Sequence, residues 1–305
     1  MTVCVAAICE KTHVVGLADK MLSTDDVQVQ PQQSKIVRLT SSVFAMYAGD
    51  VALATELLAE IKVKIEQRIA TEPQNWWLVA DVAELWRDAY IKHRAKRAEA
   101  TILAPLGLTS DTFISRQKEL SDSFVSRLTT ELVNFGIDGV SVIFGGIDST
   151  GPHLYLATNA DIGCCDGIGF IAIGSGSYHA RSQMLFAGHT ASASLSRGMA
   201  SLYMAKRRAE VAPGVGDETD SAILLTLGQL TTINDEAMVT LRSASDEEMK
   251  KVAEAFAIVE GKLNETLKQI VARNTPEKAA QQVADGSSSA DDEGAGGQPT
   301  GPQVH

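Results

Sequence analysis

Thr2 stands directly after Met1, where it combines a hydroxyl with a backbone nitrogen that can become a free amine. Removal of Met1, which the small side chain of Thr2 permits, leaves both groups on one residue. An α-amine has an unperturbed pKa of about 7.7 to 8.0, so it can serve as the base for its own hydroxyl. Many chains carry Thr after Met, so this position alone does not establish catalysis.

The residues around Thr2 are typical of a β-hairpin. Two short runs rich in Val, Ile and Ala flank a polar break at 10–12. With the turn centred near Glu10 and Lys11, antiparallel partners have residue numbers that sum to about 21. The hairpin therefore predicts that Thr2 faces Asp19, which sets a hydroxyl beside a carboxylate.

A second hairpin is predicted from 35–39 and 43–49, with its turn near Ser41. This register places Lys35 opposite Tyr47, so an amine lies within about two residues of Gly49 along the sheet. A glycine at a strand end lets backbone N–H groups approach a ligand closely.

The remainder of the chain predicts further strands and helices. Strands are expected at 140–144, 153–157, 169–173, 222–227 and 237–242, and helices at 51–68, 76–100, 120–133, 178–187 and 191–211. Ser245–Glu248 is a capping box that predicts a last helix to about Arg273. This order favours an α+β fold with two antiparallel sheets covered by helices on both outer faces.

Composition excludes several function classes. A net charge of -11 over 305 residues and a pI near 5.0 argue against a nucleic-acid binder. The four cysteines lack the C-x-x-C spacing of a zinc site, and we expect neither a metal nor a cofactor. So few cysteines in a chain of this length suit a reducing cytosol. No stretch approaches about 18 apolar residues, so we expect no membrane association and a cytoplasmic location.

Taken together, the motifs resemble the proteasome β-subunit family of N-terminal-nucleophile hydrolases, in its bacterial self-processing type. The resemblance covers roughly residues 2–227 and implies a four-layer αββα sandwich. We place the corresponding domain at 1–243, with a helical segment at about 76–135 that is enlarged relative to the family. The capping box adds a helix at 244–275, and the Gly-, Ser- and acid-rich composition predicts a disordered acidic tail at 276–305. The motifs are Thr2, Ala18-Asp19, Ser34–Ile36, Ala48-Gly49, Phe144–Asp148, Gly151–Tyr155 and Ala172–Ser177.

The resemblance also implies a role for each matching residue. Thr2 would be the nucleophile, with Asp19 and Lys35 as its partners, and the Gly49 N–H would bind the oxyanion. The hydroxyl that lies near the terminal amine falls on Ser175. The late Asp-x-x-Ser pair falls on Asp217 and Asp220.

This sequence departs from the family pattern at two positions. Asp220 stands where the family has Ser, with Thr219 as the alternative if the register slips, and Val3 stands where many relatives have a second Thr. Both departures concern the tuning of the terminal amine.

The resemblance implies a peptidase subunit that acts on peptides or unfolded polypeptide inside a ring of its own copies, with an ATPase unfoldase as a further partner. Two alternatives stay open. One is an amidase of the same superfamily that acts on a small amide. The other is a catalytically silent structural subunit, which a retained Met1 would indicate.

Overall fold

The computed structural model describes residues 2–24, 27–29, 34–137 and 139–273. Met1 and the expected acidic tail lie outside the described residues. Two five-stranded antiparallel sheets and seven α-helices occur in these ranges, so the predicted α+β class is confirmed. Within the same ranges, no helix combines the length and the apolar character that a membrane span requires.

The first sheet has the order β10-β1-β2-β11-β12 and the second has the order β5-β6-β7-β8-β9. The strands of the first are β1 Cys4–Cys9, β2 His13–Asp19, β10 Phe170–Ile173, β11 Thr219–Leu224 and β12 Leu230–Thr231. Those of the second are β5 Ile36–Arg38, β6 Val43–Gly49, β7 Val140–Asp148, β8 Gly151–Thr158 and β9 Asp161–Cys164. Between β2 and β5 in the chain, the short strand β3 Leu22–Thr24 pairs with β4 Val27–Val29.

The helices are α1 Val51–Thr71, α2 Val79–Ala98, α3 Ser110–Ser115, α4 Asp122–Asn134, α5 Ser177–Phe186, α6 Leu195–Ala209 and α7 Asp235–Arg273. The chain divides into two compact units, residues 1–245 and 246–305. The second unit contains the rest of α7 from Asp246, where Lys251 forms an ion pair with Glu247 at 2.6 Å.

Three apolar clusters lie on successive faces of the two sheets. One joins α1 and α2 to the second sheet, for example through Trp86 and Phe144. Another lies between the two sheets, and the third joins the first sheet to α5 and α6. On β1 the side chains alternate between the last two clusters, and because both faces are covered the strand is a continuous apolar run.

The first hairpin has a different register from the expected one. Cys4 pairs with Ala18 and Cys9 with His13, so partner numbers sum to 22, not 21. The turn holds one residue more than a two-residue loop, and Glu10 and Lys11 adopt positive φ values of 53° and 56° to close it. Asp19 therefore lies opposite Val3 and donates its backbone N–H to the Val3 carbonyl at 3.1 Å.

The second hairpin confirms the expected register, because Ile36 pairs with Met46. β6 then ends at Gly49, whose φ of 106° lies in the region that favours glycine. A side chain there would collide with the Gly139 carbonyl, where β7 begins beside it. Asp50 follows as the N-cap of α1, and its Oδ1 accepts from the Leu53 N–H at 3.1 Å.

Residues 99–134 form a helical excursion with an apolar cluster of their own. After α2 the chain makes a π-helical turn at Glu99–Leu103, and α3 and α4 follow. Arg94 of α2 holds the end of α4 by donating to the carbonyls of Val133 at 2.7 Å and Phe135 at 2.8 Å. The cluster contains Leu103, Leu108, Phe113 and Leu128.

The strand expected at 237–242 is wrong, because these residues form the first turns of α7. Asn234 provides the start signal, since its Oδ1 accepts from the Ala237 N–H at 2.9 Å. Ser245 consequently lies inside the helix and does not cap it. Ala237, Met238 and Leu241 pack against the cluster below α5 and α6, which selects the helical period over the strand period.

Candidate active site

The Thr2 hydroxyl lies between a carboxylate and an ammonium group. It donates to Asp19 Oδ1 and accepts from Lys35 Nζ, and Lys35 Nζ is itself 2.8 Å from Asp19 Oδ1. Thr2, Asp19 and Lys35 are all buried, with at most 4% of their surfaces exposed. The three residues that the sequence assigned to the reaction centre therefore form one hydrogen-bonded cluster.

Asp19 is the organising acceptor of this cluster. Its Oδ1 also accepts from the Val3 N–H at 2.8 Å. Its Oδ2 accepts from the N–H groups of Met21 at 3.1 Å and Gly216 at 3.2 Å. These donors fix both carboxylate oxygens, so the carboxylate can orient Lys35 without its own reorganisation.

Lys35 approaches the cluster from the second sheet. Its ammonium donates to the Met21 carbonyl in addition to Thr2 and Asp19. Three donated bonds match the three N–H groups of a lysine ammonium. The buried charge is thus both paired and hydrogen-bonded.

Ser175 lies at the backbone nitrogen of Thr2. The Thr2 nitrogen donates to Ser175 Oγ at 3.2 Å, and Ser175 Oγ donates to the Thr2 carbonyl at 3.3 Å. The preceding Gly174 has a φ of 90°, and a side chain there would collide with the Thr2 carbonyl. The segment Gly174–Gly176 is therefore packed closely against Thr2 and Val3, which precede β1.

Gly49 is not hydrogen-bonded to the cluster among the described residues. It is two positions beyond Tyr47, whose carbonyl accepts from Cys4 Sγ at 3.4 Å across the space between the sheets. Gly49 and Ser175 are both exposed, whereas Thr2 is buried.

Asp217 lies in the loop before β11, whereas Asp220 lies on β11 itself. Asp217 is exposed, in the loop before β11, and its carbonyl accepts from Lys206 Nζ at 2.6 Å. Asp220 lies on β11 opposite Ala18, and its Oδ1 is 3.6 Å from Lys20 Nζ. Thr219 pairs with Asp19 across the ladder, so it is the β11 residue nearest to the cluster in register.

Sequence reasoning missed the backbone groups of Met21 and Gly216 and the side chain of Lys206. Backbone donors have no side-chain signature. Within the run Pro213–Asp217, the glycine at position 216 hints at a close approach of the backbone. A methyl group on Gly216 would lie 2.8 Å from Met21 Cβ, so the loop packs tightly against the cluster.

A cavity of about 520 Å³ opens beside the cluster. Residues of β5 in the second sheet and of β11 and β12 in the first sheet line it. Lys20 and Ser34, which flank the cluster residues Asp19 and Lys35 in sequence, belong to its lining. Thr2 is not among the lining residues. The cavity is of a size that accepts a small molecule or one side chain of a larger substrate.

Cys4 is the nearest thiol to Thr2 and is fully buried. Burial raises the pKa of the Cys4 thiol to about 12, and Lys35 opposes that shift only in part. A thiol is nucleophilic as the thiolate, so Cys4 is inert near neutral pH. Thr2 is thus the better-placed nucleophile of the two.

No protein-family model and no curated protein sequence matches this chain.

Proposed function

We propose that the chain is a threonine-type N-terminal-nucleophile hydrolase that cleaves peptide bonds, with Thr2 as the nucleophile. The observation that carries the proposal is the contact of the Thr2 hydroxyl with both Lys35 and Asp19 in a buried cluster. The order of the three apolar clusters, helices on sheet, sheet on sheet and sheet on helices, supports the αββα sandwich of that superfamily.

The reaction begins with removal of Met1, which frees the Thr2 amine. The amine, held by Ser175 Oγ, takes the hydroxyl proton, and the oxygen attacks the scissile carbonyl. Lys35 stabilises the charge on that oxygen, while Asp19 keeps the ammonium in place. The Gly49 N–H is assigned to the oxyanion of the tetrahedral intermediate.

Collapse of the intermediate breaks the C–N bond, and the proton on the Thr2 amine passes to the leaving amine. The acyl group remains as an ester on Thr2 Oγ1. A water then attacks this ester and gives a proton to the Thr2 amine. The bond between the acyl carbon and Thr2 Oγ1 breaks, the proton passes from the amine to Oγ1, and the acid product leaves. No group outside the protein, substrate and water is needed to balance either step.

An amidase that acts on a small amide is the second candidate. The cavity of about 520 Å³ beside Lys20 and Ser34 favours it, because this volume suits a compact substrate. Both candidates use the same Thr2 chemistry. They differ in whether an unfolded polypeptide is cleaved.

Thr2→Ala is the decisive variant, and Thr2→Ser is its matched control because it keeps the hydroxyl. Intact mass first shows whether the protein begins at Thr2. We expect fluorogenic peptides and an unfolded protein to be cleaved by the wild type, more slowly by Thr2→Ser, and not by Thr2→Ala. Wild-type cleavage rates in Thr2→Ala would exclude Thr2 as the nucleophile, and retained Met1 with no hydrolysis would favour the silent subunit.

A further inference from the structure

Lys206 is a fully buried lysine outside the reaction centre. It lies on the last turn of α6, and its surface has no exposure to solvent. Its ammonium is 2.7 Å from Glu210 Oε1 and 2.6 Å from the Asp217 carbonyl. Burial lowers the pKa of Lys206, and Glu210 and the more distant Asp19 oppose this shift.

The Asp217 carbonyl belongs to a loop that bonds to Asp19 and packs against the start of α5. Gly216, one residue earlier, donates its N–H to Asp19 Oδ2 at 3.2 Å. Val215 is buried in the cluster under α5 and α6, where it lies against the position of Gly176. The loop is therefore held by Lys206 at the Asp217 carbonyl and bonded to Asp19 through the N–H of the preceding residue, Gly216.

We propose that Lys206 is a positioning residue for the Thr2 reaction, which holds the Asp217 carbonyl so that the Gly216 N–H stays directed at Asp19. This inference rests on the proposed function of Thr2. Lys206 touches neither Thr2 nor the place of the substrate. Its effect passes through the loop to the carboxylate that orients Lys35.

A surface-type ion pair does not account for this arrangement. Burying a lysine ammonium costs several kcal/mol, and a buried ion pair often stabilises a fold no better than apolar side chains of the same volume. Glu210 does not depend on Lys206 for charge compensation, because its Oε2 accepts from Arg207 Nη1 at 2.7 Å. What Lys206 adds beyond its pair with Glu210 is the contact with the Asp217 carbonyl.

Lys206→Met removes this contact while it fills the same space with an apolar chain. Glu210 keeps its partner Arg207, so no uncompensated carboxylate remains. Lys206→Arg restores an N–H donor and is the conservative variant. Lys64→Met is the matched control, because Lys64 forms the same i,i+4 pair with Glu60, at 3.2 Å, on the exposed face of α1.

The first measurement is the rate at which a β-lactone probe acylates Thr2, followed by intact mass and peptide mapping. The Thr2 oxygen forms an ester with the lactone carbonyl, the lactone C–O bond breaks, and the hydroxyl proton ends on the released oxygen. We expect Lys206→Met to be slower by about 100-fold, as for other small misplacements remote from the chemistry, with little change in the half-saturating probe concentration. Lys206→Arg should recover part of the rate, and Lys64→Met should match the wild type.

The second measurement is amide hydrogen exchange in the 212–218 segment, which reports on the loop without any reaction. The Gly216 amide should be protected in the wild type and in Lys64→Met, and should exchange faster in Lys206→Met. An unprotected Gly216 amide in the wild type overturns the proposal, even if Lys206→Met does not fold.

The two hypotheses fail in different ways. A wild type that is acylated at Thr2, together with a folded Lys206→Met acylated at the same rate, overturns the role of Lys206 alone. A wild type with Met1 removed that is not acylated at Thr2 overturns the proposed function, and the positioning role with it. Slow acylation and faster Gly216 exchange in Lys206→Met, with the thermal midpoint near that of the wild type, support the proposal.

Discussion

Asp19 and Lys35 form an ion pair whose two members have unequal support. Asp19 would keep the N–H groups of Val3, Met21 and Gly216 if Lys35 were replaced. If Asp19 were replaced, Lys35 would keep the Met21 carbonyl and the Thr2 oxygen as acceptors, but would lose its paired carboxylate. The cluster therefore depends more on the carboxylate than on the ammonium.

This asymmetry predicts different stabilities for two inactive variants. Asp19→Asn should lower the free energy of unfolding by about 3–5 kcal/mol, because it leaves the Lys35 charge buried without its partner. Lys35→Met should cost less, because the Asp19 carboxylate stays hydrogen-bonded to backbone donors. Urea denaturation of both variants measures the difference, and a larger loss in Lys35→Met would contradict it.

Lys206 shows at the residue scale why the sequence does not reveal the whole site. Thr2, Asp19, Lys35 and Ser175 carry side-chain functional groups at spacings that motifs can capture, and the structure brings these four together. Lys206 precedes two arginines near the end of a helix, where a basic run is typical of a solvated surface. Only the packing of α6 against the first sheet shows that its side chain points inward.

Asp148 has a comparable role between secondary-structure elements. It ends β7, but its Oδ2 accepts from the Val79 N–H at 2.9 Å and so caps the start of α2 from a different part of the chain. Its Oδ1 accepts from the Thr150 N–H and hydroxyl, and it lies 3.3 Å from His153 Nε2. His153 Nδ1 is in turn 2.7 Å from Asp166 Oδ2.

These contacts predict a pH-dependent contribution to stability. Burial acts to raise the pKa of Asp148, but the hydrogen bonds from Thr150 and Val79 outweigh it, and the pKa lies below its ordinary value of 3.8. A lowered folded-state pKa means that the stabilisation is complete above the unfolded-state pKa and is lost as the pH falls through the folded-state pKa.

Asp148→Asn should therefore lower the free energy of unfolding by about 1–3 kcal/mol at pH 7. The loss should become progressively smaller as the pH falls below the ordinary aspartate pKa of 3.8. Urea titrations at pH 7 and in acid below that pKa measure the two losses in unfolding free energy. Asp161→Asn, at an exposed position, is the control. A penalty that stays constant into acid would show that the charge of Asp148 is not what stabilises the α2 start.

The predicted elements were most accurate where one apolar period held for the whole element. The second hairpin was placed in its correct register because Thr40–Ser42 is a short polar turn between two apolar runs. The first hairpin was placed one residue out of register, because turn closure by two residues with positive φ leaves no glycine as a signal. The structure contradicts the strand expected at 237–242, because Asn234 marks a helix start there.

At the scale of the whole molecule, the single chain leaves aromatic side chains of α5 uncovered. Tyr178 is 80% exposed and Phe186 is 85% exposed, and Leu185 beside it is also exposed. Exposed apolar patches on a soluble protein often mark contacts with other chains. The ring that the family resemblance implies would cover these side chains with a second copy of this chain.

We therefore predict that the protein self-associates, and that a charge on α5 weakens this association. Light scattering at micromolar concentration should give a closed assembly of several chains for the wild type and for Thr2→Ala, because Thr2 is buried and the exposed side chains of α5 are unchanged. Phe186→Glu should give smaller species, since a buried unpaired charge costs several kcal/mol at an interface. The exposed-face change Glu66→Gln on α1 is the control. A wild type that is monomeric and still hydrolyses a small amide, but not an unfolded polypeptide, would contradict the ring and leave the small-amide amidase as the function of the Thr2 site.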